Sequence, residues 1–111
     1  MKLKALLPSL REKKRYVAFE VESKDDISFK DVKETIEVSV NKLIGDLGSA
    51  SAGIQFLKDW KNNKGILRVN TKYVDHVKAS LTLVEDVNNQ KVKIKSLEVS
   101  GIIDKLRKSY F

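Results

Sequence analysis

The sequence predicts an α+β fold in which a strand, a helix, two strands, a second helix and a last strand follow one another, with a short helix at the C-terminus. Two observations lead to this prediction. Apolar residues recur at helical spacing in two long segments, and between those segments they alternate or form short β-branched runs. Asn, Gly and Ser residues separate the segments and mark turns. Because 111 residues suffice for one hydrophobic core, we expect a single domain.

The first strand and the longest helix occupy the first half of the chain. Alternating apolar residues predict the strand over residues 15–22. Helical spacing continues over residues 29–47, and Ser28 is a suitable N-cap for that helix. Gly48 stands where a left-handed C-cap is expected. We therefore predict that the helix ends there and that residues 48–53 form a connector of small residues.

A hairpin is predicted in the middle of the chain. Its first strand contains Ile54, Phe56 and Trp60, and its second strand is the β-branched run Lys64–Val69. The turn signal over residues 62–65 joins the two.

A second helix and a last strand complete the predicted order. Helical spacing over residues 73–84 follows Asn70 or Thr71 as the N-cap. Residues 91–95 then alternate lysine with an aliphatic residue, which predicts a strand with one apolar and one basic face. Gly101 is expected to let the chain turn sharply into the last helix.

The alternation slips within the last strand. Leu97 and Val99 have the opposite parity to Val92 and Ile94. We predict either a β-bulge near residues 95–96, or a C-terminal helix that covers the second face of the sheet. The residues of that helix that would form the cover are Ile102, Ile103 and Leu106.

This order of elements is the split βαβ or ferredoxin-like arrangement, which RNA-recognition domains share. We expect a βαββαβ sandwich with a four-stranded antiparallel sheet and both crossover helices on one face. The first and third strands would be central, and the fourth would lie beside the first. We assign residues 1–14 to a basic N-terminal arm and residues 15–111 to the domain, including a basic C-terminal helix over residues 102–111.

The positive charge of the chain points to a polyanion as its partner. The formal net charge is +7 at pH 7, and the basic residues concentrate near the two ends of the sequence and in the last strand. If the start of the first strand approaches the end of the last, this charge becomes one patch; a merely solvated basic face is the alternative. The residues that we predict to bind RNA are Lys13, Lys14, Arg15, Arg68, Lys93, Lys95, Lys105, Arg107 and Lys108.

Several other classes of function are disfavoured. The chain has no cysteine and a single histidine, so disulfide frameworks, thiolate zinc sites and other metal sites are not expected. No apolar run approaches the ~20 residues of a membrane span, and we expect an intracellular, cytoplasmic protein. The acidic residues are scattered, with no pair suited to acid and base catalysis. We therefore predict no catalytic residue in this chain.

The run Lys64–Val69 can be laid against the first ribonucleoprotein motif of RNA-recognition domains. Ile66 and Arg68 occupy the positions of the motif's aromatic residues, so the platform on which single-stranded bases stack is missing. Arg68, Lys93 and Lys95 would instead donate to phosphate, which gives affinity but little sequence information.

Four segments together resemble a known family. They are the run Gly65–Val69, the helix after it with Tyr73, Val77 and Ala79, the run Leu97–Ile103 before a basic tail, and the basic start leading into Arg15–Glu20. Over essentially its whole length the chain is similar to the family of archaeal ribonuclease P protein component 2. It departs from that family at Ile102, where a threonine is expected after Ser-Gly.

The resemblance implies a subunit of ribonuclease P. This ribonucleoprotein is an endonuclease, and therefore a hydrolase, that removes the 5′ leader of precursor tRNA during tRNA processing. It implies that the RNA subunit and its magnesium ions perform the chemistry and that this chain binds no cofactor itself. It also implies protein component 3, a TIM-barrel subunit, as the partner. The pair would assemble around a dimer of this chain into a heterotetramer, with contacts through the last helix or an exposed helix face.

Two rival classes share the predicted fold. Acylphosphatase-like enzymes need a glycine-rich phosphate cradle with an arginine after the first strand, where this chain has Lys24-Asp25-Asp26. Carboxylates there would repel phosphate, so we discount that class. A stand-alone regulatory domain, or a general RNA-binding module outside ribonuclease P, stays open as the alternative.

Overall fold

The computed structural model describes residues 13–111. Most of the predicted N-terminal arm lies outside the described residues. The elements are β1 (Lys14–Glu22), α1 (Phe29–Ala52), β2 (Gln55–Lys61), β3 (Lys64–Asn70), α2 (Val74–Leu83), β4 (Asp86–Val87), β5 (Gln90–Lys91), β6 (Lys93–Ser100) and α3 (Ile103–Tyr110). The structure confirms the predicted α+β class, with the ferredoxin-like strand order β2-β3-β1-β6 in a four-stranded antiparallel sheet and a second sheet of the two short strands β4 and β5.

The main core lies between the sheet and the helices α1 and α2. Along β1, successive residues point alternately toward these helices and away from them, as the alternation in the sequence predicts. The centre of this cluster is formed by fully buried side chains of both central strands and of one stripe of each helix: Val17, Phe19, Val32, Ile36, Leu67, Val69, Val77 and Leu81.

Gly65 is required by the packing of this core. A Cβ atom at Gly65 would lie 2.7 Å from Phe19 Cζ and 3.1 Å from Trp60 Cε3. Any side chain there would displace both rings. Core packing in this chain therefore explains Gly65, which matches the glycine of the ribonucleoprotein motif.

The prediction that α1 ends at Gly48 is wrong. The helix is interrupted at Gly45, which has φ 73° and ψ 179°, and then continues to Ala52. Gly53 is the left-handed cap, with φ 58°, and its N–H donates to Ser49 O at 3.2 Å. The predicted connector is helical because Ser and Ala are compatible with a helix, and because Ala52 is fully buried against the core.

The last strand contains the predicted β-bulge, but the strand begins at Lys93 and not at Lys91. Ala18 pairs with Glu98, whereas Phe19 pairs with Ser96, so Leu97 has no partner on β1. This extra residue returns Val99 to the core face opposite Val17, while Leu97 packs on the other face. The bulge thus explains the slip in alternation.

Lys91 belongs to a separate hairpin and is not part of the last strand. Lys91 pairs with Asp86 across a turn at Asn88 and Asn89, which have φ 51° and 65°. Two consecutive Asn residues adopt positive φ at low cost and form a tight hairpin turn. The alternating run over residues 91–95 is therefore divided between two strands.

Candidate nucleic-acid interface

The second face of the sheet, which RNA-recognition domains leave open, is covered by α3. Ala18, Ile66 and Leu106 are each 0% exposed and form the centre of this contact. Ile66 stands at an aromatic position of the ribonucleoprotein motif and points directly at the helix. The prediction that a C-terminal helix covers this face is confirmed, although Ile102, which we expected in the cover, is 65% exposed.

Two polar contacts hold α3 at its edges. The Arg107 guanidinium donates to both carboxylate oxygens of Asp59 in β2, from Nε at 3.0 Å and from Nη2 at 3.1 Å. The hydroxyl of Tyr110 donates to Glu98 Oε1 in β6 at 3.1 Å. The hydrogen bonds to Asp59 raise the pKa of Arg107, and burial followed by the bond to Glu98 raises the pKa of Tyr110.

The antiparallel pairing of β1 with β6 divides the predicted RNA-binding residues between two ends of the sheet. We call the end where β1 begins and β3 and β6 finish the proximal end; it contains Arg15, Arg68 and Ser100. The opposite end, which contains Glu22 and Lys93, is the distal end. At about 3.4 Å per residue, the length of β1 separates the two. The expected single patch is therefore not formed.

At the distal end, carboxylates accompany the lysines. Lys95 Nζ lies 2.7 Å from Glu22 Oε1 and 3.7 Å from Glu20 Oε1. The hydrogen bond and charge of Lys95 lower the pKa of Glu22, and the same contact raises the pKa of Lys95. Lys93 is exposed and lies opposite Glu22 in the register of the sheet.

At the proximal end, the start of β1 adjoins the end of β6, as predicted. Tyr16 pairs with Ser100, and Thr71 donates from both its N–H and its hydroxyl to Lys13 O, at 2.8 and 2.9 Å. Arg15 Nη1 donates to Lys14 O at 3.0 Å. The Arg15 guanidinium also lies against Gly101, where a Cβ would be 3.5 Å from Nη1.

Gly101 does not have the positive φ that a sharp glycine turn would require. The link between β6 and α3 is instead stabilised by Ser100, whose hydroxyl accepts from the N–H of Ile102 at 3.0 Å.

Arg68 lies on the α3 face of β3, opposite Tyr16 and two residues beyond Ile66. Its side chain is partly buried, and its Nε is enclosed without a hydrogen-bond partner within the protein. A buried guanidinium N–H that lacks an acceptor is costly, so a movement of this side chain that exposes Nε to water or to the acceptor of a ligand would be favoured.

The structure adds Lys72 to the proximal cations, a residue that we did not single out from the sequence. It lies in the 3-10 turn Thr71–Tyr73, and its N–H donates to the N-cap oxygen of Asn70 at 3.0 Å. The sequence indicated the position of Lys72, because Asn70 ends the strand that begins at Lys64 and the next residues must lie at the same end of the sheet. The two lysines of α3, Lys105 and Lys108, are exposed.

The single tryptophan is used for packing. The ring of Trp60 stacks on Phe29 with centroids 5.2 Å apart and also lies 6.3 Å from the ring of Phe19. His76 is exposed, with its ring 5.4 Å from that of Tyr73. The described residues thus offer no row of exposed aromatic rings on the sheet.

The helix side of the molecule exposes several large apolar side chains. Val38, Leu43 and Leu47 on α1 are exposed, and so is Leu83 at the end of α2. Between the two helices lies a cleft of about 280 Å³, whose lining includes Val38 and Leu83. In residues 13–111 no helix is long and apolar enough to span a membrane, and no three His, Asp or Glu residues are placed to hold a metal ion.

Comparison with known proteins identifies relatives of the whole chain. The sequence profile of the Rpp14/Pop5 family matches residues 15–111. Ribonuclease P protein component 2 of Pyrococcus abyssi (strain GE5 / Orsay) is 41% identical over 111 residues, which cover 99% of this chain and 94% of that relative. The protein of the same name from Methanosarcina mazei is 33% identical over 108 residues, with 97% and 92% covered.

A solved structure agrees with the fold. One chain in a cryo-EM structure of yeast ribonuclease MRP superimposes with a TM-score of 0.67 at 12% identity, covering 89% of this chain and 92% of that chain. With the profile match and the full-length relatives, the conclusion is direct: this chain belongs to the Rpp14/Pop5 family.

Proposed function

We propose that this chain is a protein subunit of ribonuclease P that binds structured RNA and assists the RNA subunit in removing the 5′ leader of precursor tRNA. The observation that carries this proposal is the full-length identity of 41% to a ribonuclease P protein component 2. The chain is thus part of an endoribonuclease without supplying the catalytic groups. A regulatory or RNA-binding role outside ribonuclease P is not favoured by these relatives.

The closed second face supports a role in binding RNA backbone. Single-stranded bases are read by stacking on exposed aromatic rings, whereas folded RNA is recognised through its shape, phosphates and 2′-hydroxyls. With Ile66 and Ala18 covered by α3, and Trp60 packed against Phe29, base stacking on the sheet is not available. Cationic side chains remain as the RNA ligands.

The nine predicted RNA-binding residues remain our proposal, but the structure ranks them. Arg107 is held by Asp59 and Lys95 by Glu22, so contact with RNA would have to replace an existing ion pair. Lys105 and Lys108 are exposed on α3. The proximal residues Lys13, Lys14, Arg15 and Arg68 form one neighbourhood.

We further propose that protein component 3 binds the helix side of the chain, in a heterotetramer built around a dimer of this chain. The apolar residues of α3 face inward, with Leu106 fully buried, so they are not available to a partner. The exposed apolar side chains Val38 and Leu83, on either side of the cleft between α1 and α2, offer the contact area instead.

Magnesium belongs to the RNA in this proposal, and the complex works in the cytoplasm. The described residues bring together no carboxylate cluster that would hold the ions for catalysis. This chain would act by neutralising phosphates and so lowering the magnesium that the folded RNA requires.

The test is cleavage of precursor tRNA by a reconstituted enzyme at limiting magnesium. Ribonuclease P RNA and component 3 of Pyrococcus abyssi are combined with this chain, with the component 2 of that organism, or with neither. We expect this chain to stimulate cleavage strongly. If the Pyrococcus component 2 stimulates cleavage and this chain does not, the proposal is contradicted.

A further inference from the structure

We infer that the RNA backbone binds at the proximal end of the sheet, on a surface formed by Lys13, Arg15, Arg68 and Lys72, and that the distal lysines contribute little. This inference rests on the proposed function and specifies where on the chain the RNA lies. It also adds Lys72 to the RNA ligands and separates Lys93 and Lys95 from them.

Three different elements bring these cations together. Arg15, near the start of β1, pairs with Val69 and so lies on the helix face, whereas Arg68, near the end of β3, pairs with Tyr16 on the α3 face. The two side chains therefore lie on either side of the same end of the sheet, where one phosphate chain that passes around this end can reach both. Lys13 is joined to the 3-10 turn through two hydrogen bonds from Thr71, the neighbour of Lys72. The backbone of all three elements is fixed by the sheet or by these bonds, so the cationic side chains start from a defined arrangement.

The proximal cations are not neutralised by the protein. Within residues 13–111, none of Lys13, Arg15, Arg68 and Lys72 forms an ion pair. Their charge is therefore available to phosphate without the loss of an ion pair. Lys95 at the distal end, by contrast, lies against two carboxylates.

The acidic residues follow the same division. Glu20 and Glu22 finish β1 at the distal end, and Asp25 and Asp26 follow in the loop before α1. These carboxylates would repel a phosphate chain that approached Lys93 or Lys95. Asp75 and Asp104, in the first turns of α2 and α3, follow the proximal ends of β3 and β6, but neither forms an ion pair with the proximal cations. The two ends thus differ in whether carboxylates engage their cations.

The chemistry of the proximal groups matches a chain of phosphates. Arg15 and Arg68 present planar guanidinium groups that can donate two hydrogen bonds to one phosphate, and Lys13 and Lys72 provide point charges.

The test compares two triple variants that remove the same charge. The proximal variant carries Arg15→Gln, Arg68→Gln and Lys72→Gln. The distal variant carries Lys64→Gln, Lys93→Gln and Lys95→Gln, because Lys64 pairs with Glu20 and lies at the same end as the other two. Binding of each full chain to Pyrococcus abyssi ribonuclease P RNA is measured across a range of salt concentrations. We expect the proximal variant to bind at least about tenfold more weakly and its salt slope to fall by about 2, against a small change for the distal variant.

The outcomes separate this inference from the proposed function. If the unmodified chain binds the RNA and both variants lose affinity equally, or the distal variant loses more, the inference is overturned and the proposed function stands. If the unmodified chain does not bind the RNA, alone or with component 3, the proposed function itself fails. Should Arg68→Gln impair folding, Lys13→Gln replaces it in the proximal variant, and Arg68→Lys tests whether charge alone restores binding.

A second measurement reports the position of the RNA and does not rest on a loss of affinity. Lys72 represents the proximal end, and Lys61, which pairs with Lys64, represents the distal end. Because the chain has no cysteine, Lys72→Cys and Lys61→Cys each create one attachment site for an iron–EDTA reagent. Hydroxyl radicals from the proximal site should cut the bound RNA at discrete positions, and those from the distal site should cut it weakly. Discrete cutting from the distal site alone would contradict the inference.

Discussion

The two faces of the sheet are covered in very different ways. On the helix side, fifteen buried residues form one continuous cluster with α1 and α2. On the opposite side, three buried residues, Ala18, Ile66 and Leu106, form a small cluster under α3, bordered by the Arg107–Asp59 and Tyr110–Glu98 contacts. The first face therefore provides most of the stability of the domain, and the second can open at a lower cost.

The largest expected effect concerns the helix side. Phe19 is fully buried between Phe56 and Trp60, and Phe19→Ala should lower the free energy of unfolding by about 3–5 kcal/mol, because the cavity cannot be refilled. Urea unfolding measures this. Val38→Ala, at a position 55% exposed on α1, is the control and should change the free energy of unfolding by less than about 1 kcal/mol. Equal effects would contradict the assignment of the core.

A smaller effect is expected on the α3 side. Leu106→Ala should cost about 2 kcal/mol, because α3 can detach before the sheet unfolds. Hydrogen exchange should then accelerate in α3 and remain slow in β1 and β3. The control Ile102→Ala, at an exposed position beside the same helix, should leave exchange unchanged. Accelerated exchange throughout the sheet would show that the two faces unfold together.

The ion pair at the edge of α3 should have a weaker effect still. Arg107→Ala and Asp59→Ala should each loosen α3 slightly, and the double variant should cost less than the sum of the two. Because the Arg107 side chain is 46% exposed, this coupling should fall as salt rises. Additive effects at low salt would mean that the contact does not stabilise the helix.

The smallest expected effect is a dependence on alkaline pH. The pKa of Tyr110 is raised in the folded protein by burial and by the bond to Glu98, so its stabilising contribution is present below its usual pKa of 10.0 and is lost as pH rises through the raised value. The difference in unfolding free energy between the unmodified chain and Tyr110→Phe should therefore shrink above about pH 10. Tyr73→Phe is the control, since Tyr73 contacts only the ring of His76 among the aromatic residues described.

The sequence was sufficient for the topology of the four-stranded sheet, because the residues that face the main core recur with a regular period. It did not predict the β4–β5 hairpin. The strand order, the hairpin at Asn62 and Asn63 and the bulge in β6 could all be predicted from parity and turn residues. The end of α1 could not, because Gly48 and Gly53 are equally good caps locally, and only the burial of Ala52 favours the later one.

The candidate site was predicted less completely, for a physical reason. Charge along the sequence does not reveal which carboxylate lies beside which lysine across a sheet. The pairing of Lys95 with Glu22 and of Arg107 with Asp59 depends on register and on the path of α3. These contacts separate the predicted RNA-binding cations that form ion pairs within the protein from those that do not. The residue types alone do not show this division.

The most direct test of the account is the magnesium requirement of precursor-tRNA cleavage by complexes that contain the unmodified chain, the proximal variant or the distal variant. Each complex holds the Pyrococcus abyssi ribonuclease P RNA and component 3. We predict that the unmodified chain and the distal variant lower the magnesium needed for half-maximal cleavage, and that the proximal variant does so much less. A chain that leaves the requirement unchanged, or a proximal variant as effective as the unmodified protein, would contradict the account.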